Sequence, residues 1–163
     1  MSEDGTRLTH FNAHGEAHMV DISAKAPSAR SATAEGRIRM RATTLQAIRA
    51  GTSRKGDVLG VAQVAAIQAA KRTEMLIPLC HQIPLSAVDV AWAYADDITL
   101  VCTVTARTVA PTGVEMEALT ATTMGLLTVY DMCKAVDRGM IISDIRLLHK
   151  EGGRSGVWHR ETG

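Results

Sequence analysis

The chain has 163 residues, a formal net charge of +1 and only 3% aromatic residues. A nearly neutral chain has no overall field to draw it to DNA or to an anionic membrane, and so few aromatic rings argue against a stacking platform for single-stranded nucleic acid. Cys80, Cys102 and Cys133 are odd in number and widely spaced, which favours reduced thiols. With no secretory signal and no apolar run of about 20 residues, we expect a cytoplasmic protein without nucleic-acid or membrane partners.

The first 17 residues are polar and are expected to form a flexible N-terminal segment, residues 1–17. His10, His14 and His18 recur every four residues, so on a helix they would share one face and could bind a metal. Gly15 weakens such a helix, and no cysteine or carboxylate cluster completes the site. A mobile tail is therefore the favoured interpretation, and we expect neither a metal nor a cofactor.

Two extended segments follow. The stretch "MVDISAK", residues 19–25, alternates weakly and predicts a first strand. In "GRIRMRA", residues 36–42, Arg37, Arg39 and Arg41 fall on one face, and strict alternation of this kind predicts a half-buried strand.

Two helices are predicted next. Thr43 or Thr44 is expected to cap a short helix that runs through Arg49. After the irregular stretch "GTSRKGD", Asp57 is a plausible N-cap for a second helix, Val58 to Arg72, whose small alanine-rich surface suits close packing.

The second half of the chain begins with "IPLCHQIP", residues 77–84, which two prolines constrain to an extended connector. Alternation over residues 85–94 and 98–106, on either side of a polar turn, predicts a β-hairpin. A long helix over residues 114–136 and a last strand over residues 140–149 complete the pattern.

This order of elements predicts an α+β fold, an antiparallel sheet with helices packed on one face. We expect a single catalytic domain over residues 18–156 and a C-terminal tail over residues 157–163.

The long helix carries the most informative charges. Asp131 and Lys134 are three residues apart and therefore neighbours, and Glu117 lies nearly four turns earlier on the same stripe. The rest of the helix is apolar or small, which predicts burial against its own sheet and against another subunit. Spacing alone leaves two alternatives for Asp131 and Lys134, a surface ion pair or an active site.

Three further groups are candidates for chemistry. Lys55 precedes a glycine in what should be a mobile loop, although "GTSRKGD" does not match a phosphate-binding P-loop. Cys80 and His81 cannot form a dyad, because adjacent residues of an extended chain point to opposite faces. Several basic residues near the ends of predicted elements could converge on an anion; these are Arg30, Lys71, Arg72, Lys150 and Arg154.

Taken jointly, "HMVDISAK", "KGDV", "IQAAKR", "LIPLCH", "TGVEMEALTA", "YDMCKA" and "GGRSG" resemble the signatures of the MoaC family of molybdenum cofactor biosynthesis. The resemblance extends from about Thr9 to Gly156. It implies a lyase that converts 3′,8-cyclo-7,8-dihydroguanosine 5′-triphosphate into a cyclic pyranopterin monophosphate and releases diphosphate. It also implies a ferredoxin-like fold and a homohexamer, a trimer of dimers, with the pocket at a dimer interface.

The resemblance also assigns roles by position. Its catalytic residues fall on Lys55, Asp131 and Lys134. Its substrate-binding residues fall on Leu79, Cys80, His81, Met116, Glu117, Arg30 and Lys150, and Lys71 fits less decisively. Arg154 stands where the family has lysine, which preserves phosphate contact but not a proton-transfer role. A nucleotide-binding or assembly module without catalysis is the alternative.

Overall fold

The computed structural model describes residues 10–12, 14–53 and 56–161, and these form five strands and four helices. In chain order they are β1 (Ser28–Arg39), α1 (Ala42–Arg49), α2 (Val58–Ala70), α3 (Thr73–Leu76), β2 (Leu85–Tyr94), β3 (Thr99–Ala110), α4 (Glu115–Cys133), β4 (Ile141–Glu151) and β5 (Trp158–His159).

The strands form one antiparallel sheet in the order β2-β3-β1-β4-β5. Without the short β5, the two central strands are β3 and β1, and the strands at either side are β2 and β4. This arrangement, with helices in both crossovers, is the split βαβ topology of ferredoxin-like folds. The predicted α+β class with an antiparallel sheet is confirmed.

The core lies between the sheet and the helices. Alternate residues of β1 face α4, and Ile38 is fully buried there, as is Leu100 of β3. Val90 and Trp92 of β2 pack against the same cluster, and the antiparallel pairing of β2 with β3 confirms the predicted hairpin. The small residues of α2, such as Ala62 and Ala66, are fully buried, and this lets α2 lie close to α4.

The strand predicted over residues 19–25 is wrong. The Asp21 side chain accepts a hydrogen bond from the Ser23 backbone N–H at 2.9 Å, and the Lys25 N–H donates to the Ile22 carbonyl at 3.0 Å. Asp and Ser favour such local turns, because their side chains replace the partners that a strand would supply. The first strand is instead β1, which begins at Ser28.

The predicted threonine cap of α1 is also wrong, since α1 has no side-chain cap of its own. Asp137, which follows α4, supplies the missing acceptor. Its carboxylate accepts from the Arg41 N–H at 2.8 Å and from the Thr44 hydroxyl at 3.1 Å. The start of α1 is thereby tied to the end of α4.

The cap predicted for α2 is confirmed, because Asp57 accepts from the Gly60 N–H at 2.9 Å. The short α3 and β5 were not predicted. Two residues of the segment expected as a tail pair with β4, through His149 with His159 and Lys150 with Trp158.

Near the N-terminus, Phe11 bridges to Ala17, so the histidines at 10, 14 and 18 do not share a helix face. Across the described residues, no helix is both long and apolar enough to span a membrane.

Candidate functional site

A cleft of about 840 Å³ lies where the first turn of α4 meets β1 and the end of β4, and we call it the cationic cleft. Four basic residues line it, namely Lys25, Arg30, Lys150 and Arg154. Only two acidic residues line it, Glu115 and Glu151. The cleft therefore has the charge balance of an anion site, and it includes three of the basic residues that the sequence singled out.

Arg30 is the third residue of β1, and its side chain lines this cleft. Its Nε donates to the Ala110 carbonyl and its Nη2 to the Pro111 carbonyl, both at 3.4 Å. Gly152 and Gly153 also lie against the Arg30 side chain, and their backbone φ angles are +99° and +71°. The guanidinium is thus held between two chain segments that meet only in the folded protein.

Lys150 reaches the same cleft from β4. Its Nζ lies 2.9 Å from Glu115 Oε1, and both side chains are about 30% exposed. Since Glu115 opens α4, this ion pair joins the end of the outer strand to the start of the helix. The pair leaves the Lys150 ammonium inside the cleft with part of its charge already balanced.

A second cavity of about 390 Å³ adjoins the cationic cleft, and we call it the acid pocket. The two cavities share Lys25, Thr112, Gly113 and Glu115 in their linings. The acid pocket brings together five predicted substrate-binding residues, Leu79, Cys80, His81, Met116 and Glu117.

Glu117 is the most perturbed carboxyl group of this region. It is only 4% exposed, and burial raises its pKa to about 7, with smaller contributions from the nearby charges of Glu115 and Glu74. Burial also raises the pKa of the Cys80 thiol, and the charge of Glu117 adds to that effect. Glu117 is therefore poised to exchange a proton near neutrality, whereas the Cys80 thiol is not activated.

His81 is fixed by a hydrogen bond. Its Nε2 lies 2.7 Å from the Val20 carbonyl, so this nitrogen carries the proton and donates it. A neutral ring in this tautomer offers Nδ1 only as an acceptor. Donation from Nδ1 to a phosphate would require a protonated ring.

Asp131 and Lys134 lie at the other end of α4. Their ion pair is 2.7 Å long, and both side chains are more than half exposed. The hydrogen bond from Lys134 to Asp131, together with the charge of Asp131, raises the pKa of the Lys134 ammonium. In a single copy of the chain this direction is opposite to the one that a general base requires.

The two ends of α4 are far apart within one chain. Glu117 and Asp131 are separated by 14 residues, which corresponds to about 21 Å along a helix. The predicted stripe exists, but Glu117 is buried and Asp131 is exposed, so one copy does not bring the two groups together.

The third predicted catalytic residue, Lys55, lies outside the described residues. Thr52 and Ser53, which belong to the segment between α1 and α2 that also contains Lys55, line a groove of about 600 Å³ together with Met132 and Cys133 of α4. The described part of this loop therefore approaches the helix end that carries Asp131 and Lys134.

The sequence assigned neither Lys25 nor Glu115 to the site, although both lie in quoted motifs and line both cavities. Lys71 and Arg72, by contrast, are exposed and line neither cavity. Within the described ranges, no group of three His, Cys, Asp or Glu side chains is arranged to bind a metal ion.

Comparison with known proteins adds an independent result. Residues 19–153 match the sequence model of the MoaC family. A protein of Limosilactobacillus fermentum (strain NBRC 3956 / LMG 18251) named cyclic pyranopterin monophosphate synthase is 56% identical over 149 residues. This alignment covers 91% of the present chain and 90% of that protein.

Proposed function

Because the chain belongs to the MoaC family, we propose that it catalyses the synthesis of cyclic pyranopterin monophosphate in molybdenum cofactor biosynthesis. The substrate is 3′,8-cyclo-7,8-dihydroguanosine 5′-triphosphate. The enzyme rearranges its purine into a pyranopterin, closes a cyclic phosphate and releases diphosphate in the cytoplasm. One observation carries this proposal: the family match, over residues 19–153, spans all the proposed catalytic and substrate-binding residues from Arg30 to Lys150, and Arg154 lies one residue beyond it.

The cationic cleft is the proposed seat of the triphosphate. Arg30 and Lys150 are its principal contacts, and their positive charges offset the charge that develops on the departing diphosphate. Arg154 suits the same role, because a guanidinium binds phosphate oxygens without needing to transfer a proton.

The acid pocket is the proposed seat of the base and sugar. Leu79, Cys80 and Met116 supply its apolar surface, and His81 accepts a hydrogen bond through Nδ1. Glu117 supplies a proton-transfer group, since its pKa of about 7 lets it act as acid or base at neutral pH.

Lys134 and Lys55 divide the remaining proton transfers, and Asp131 orients Lys134 from one helical turn away. For Lys134 to act as a base its pKa must fall, and neighbouring cations would lower it. The cationic cleft of another copy contains such cations.

Assembly of two copies supplies this arrangement. Met116 and Leu127 are large apolar side chains left exposed on α4, at 37% and 47%. Residue 124 lies midway between Glu117 and Asp131, so two copies of α4 that cross antiparallel at this level would set each Lys134 beside the other copy's acid pocket. A two-fold contact of this kind makes two equivalent sites, and three such dimers form the proposed homohexamer.

Turnover is the direct test of the reaction. The purified protein is incubated with the cyclic nucleotide triphosphate, and diphosphate and the pterin product are quantified together. Binding without turnover would support the non-catalytic alternative instead. Lys134→Ala and Lys55→Ala are expected to abolish turnover in a folded, oligomeric protein, and full activity in either variant would refute its catalytic role.

Subunit complementation tests the shared site. Glu117→Ala and Lys134→Ala, each inactive alone, are co-expressed with different affinity tags. Half of the dimers are then mixed, and each mixed dimer has one intact site and one doubly mutated site, so activity should return to about a quarter of the wild-type value. If both residues acted within one chain, the mixed protein would stay inactive.

A further inference from the structure

The turn between β4 and β5 contains three glycines with positive φ, of which two contact Arg30. The ideal Cβ position of Gly153 overlaps Nη1 of Arg30, and that of Gly152 overlaps the Ala29 carbonyl. The third, Gly156, has φ +62° and nothing within 4 Å of its Cβ position. Positive φ alone therefore does not account for glycine at residue 153, because a neighbouring side chain occupies the space as well.

The Arg30 guanidinium has five N–H groups. Among the described residues, one from Nε and one from Nη2 donate to the Ala110 and Pro111 carbonyls. Both hydrogen bonds are long at 3.4 Å, so they alone hold the guanidinium weakly. A Cβ at Gly153 would lie within 2.7 Å of Nη1, Cζ and Nη2, so the guanidinium occupies the space that a side chain at residue 153 would need.

We infer that Gly153 is a positioning residue for anion binding. Because residue 153 has no side chain, the Arg30 guanidinium can lie against the cationic cleft with Nη1 available to a phosphate oxygen. This inference rests on the proposed function, since it takes the anion to be the diphosphate part of the substrate. Gly152 supports the seat through its contact with Ala29, but its overlap with backbone makes it a poorer probe.

The overlap at Gly153 is with the far end of a flexible side chain. Alanine at this position should therefore displace the guanidinium while the fold persists. Gly156→Ala is the matched control, because it introduces the same Cβ at nearly the same φ, +62° against +71°, without a neighbour to displace. Both variants place alanine at a similar positive φ, so the cost of backbone strain should be similar. Only Gly153→Ala should also displace the Arg30 guanidinium.

The experiment measures the Kd of inorganic diphosphate by isothermal titration calorimetry, with thermal melting as a check on folding. Gly153→Ala is expected to raise this Kd about tenfold, as the loss of one charge-assisted hydrogen bond would, and Gly156→Ala is expected to leave it unchanged. With the cyclic nucleotide as substrate, Gly153→Ala should raise KM and also lower kcat, because Arg30 both binds the phosphates and offsets the charge that develops on the departing diphosphate.

Arg30→Ala completes a double-mutant cycle. If Gly153 acts through Arg30, Gly153→Ala will have no further effect on diphosphate binding in the Arg30→Ala protein. Equal effects of the two glycine variants, full additivity with Arg30→Ala, or a wild-type protein that does not bind diphosphate would each overturn the inference. Arg30-dependent binding without turnover of the nucleotide would instead refute the proposed reaction and leave the role of Gly153 standing.

Discussion

Glu117→Gln should change the pH dependence of stability in a direction that the structure defines. Burial raises the pKa of Glu117 from 4.5 to about 7. A carboxyl group whose pKa is higher in the folded state favours folding below its unfolded pKa, and this contribution is lost as the pH rises through about 7. Glutamine has nearly the same size but stays neutral, so the stability of the variant should not fall as the pH rises through about 7.

The magnitude follows from the two pKa values. Their difference is equivalent to about 3 kcal/mol, at about 1.4 kcal/mol for each pKa unit. Between about pH 5 and pH 8, the wild-type free energy of unfolding should therefore fall by about 2.5 kcal/mol more than that of Glu117→Gln.

Urea denaturation of both proteins across this range measures the difference. Protein concentration must be equal throughout, because subunit association contributes to apparent stability. Met116→Leu changes the neighbouring side chain without removing a carboxyl group, and its free energy of unfolding should run parallel to that of the wild type. If the free energy of unfolding of Glu117→Gln also changes with pH in parallel with that of the wild type, then ionisation of Glu117 does not destabilise the fold and the argument from burial is wrong.

Three further predictions concern packing and capping. Asp137→Ala removes the acceptor shared by the Arg41 N–H and the Thr44 hydroxyl, so the free energy of unfolding in urea should fall by about 3 kcal/mol; an unchanged denaturation midpoint would contradict this. Burial opposes ionisation of Asp137, but its hydrogen bonds and Arg41 hold the pKa below the ordinary value, so this stabilisation should be present above about pH 4 and lost in stronger acid. Gly36→Ala places a Cβ 2.7 Å from Cδ1 of the fully buried Leu126, which must shift, so thermal melting should show a cost of about 2 kcal/mol, and an unchanged melting temperature would contradict this. Asp57→Ala removes the cap of α2 and should cost about 1 kcal/mol in the same assay, while Asp57→Asn should retain most of the stability.

Elements whose signals are local were predictable from the sequence. Alternation over residues 85–94 located β2, because a strand with one buried face repeats every two residues. Asp57 marked the start of α2 for an equally local reason, since an N-cap acts on the next few N–H groups. The segment over residues 19–25 failed because a turn formed by Asp21 and Ser23 competed with weak alternation.

Features that depend on distant residues were not predictable. The acceptor at the start of α1 is Asp137, 93 residues after Thr44, and the sequence around Thr44 contains no signal for this contact. The sequence placed Glu117 on one stripe of α4 with Asp131, but the pKa of Glu117 depends on burial, which no spacing reveals. The spacing of Asp131 and Lys134 did predict their contact, but whether this contact serves catalysis is a property of neighbours beyond the helix.

In the proposed dimer each end of α4 contributes to a different site, so the length of α4 sets the distance between the two sites. Deleting one residue between Gly125 and Thr128 would shorten the helix by about 1.5 Å and turn Asp131 and Lys134 by about 100° relative to Glu117. A change of side chain in this stretch alters packing locally, whereas a change of length would misalign both sites of the proposed dimer at once. The number of residues in α4 is therefore a stricter requirement than the identity of those in its middle.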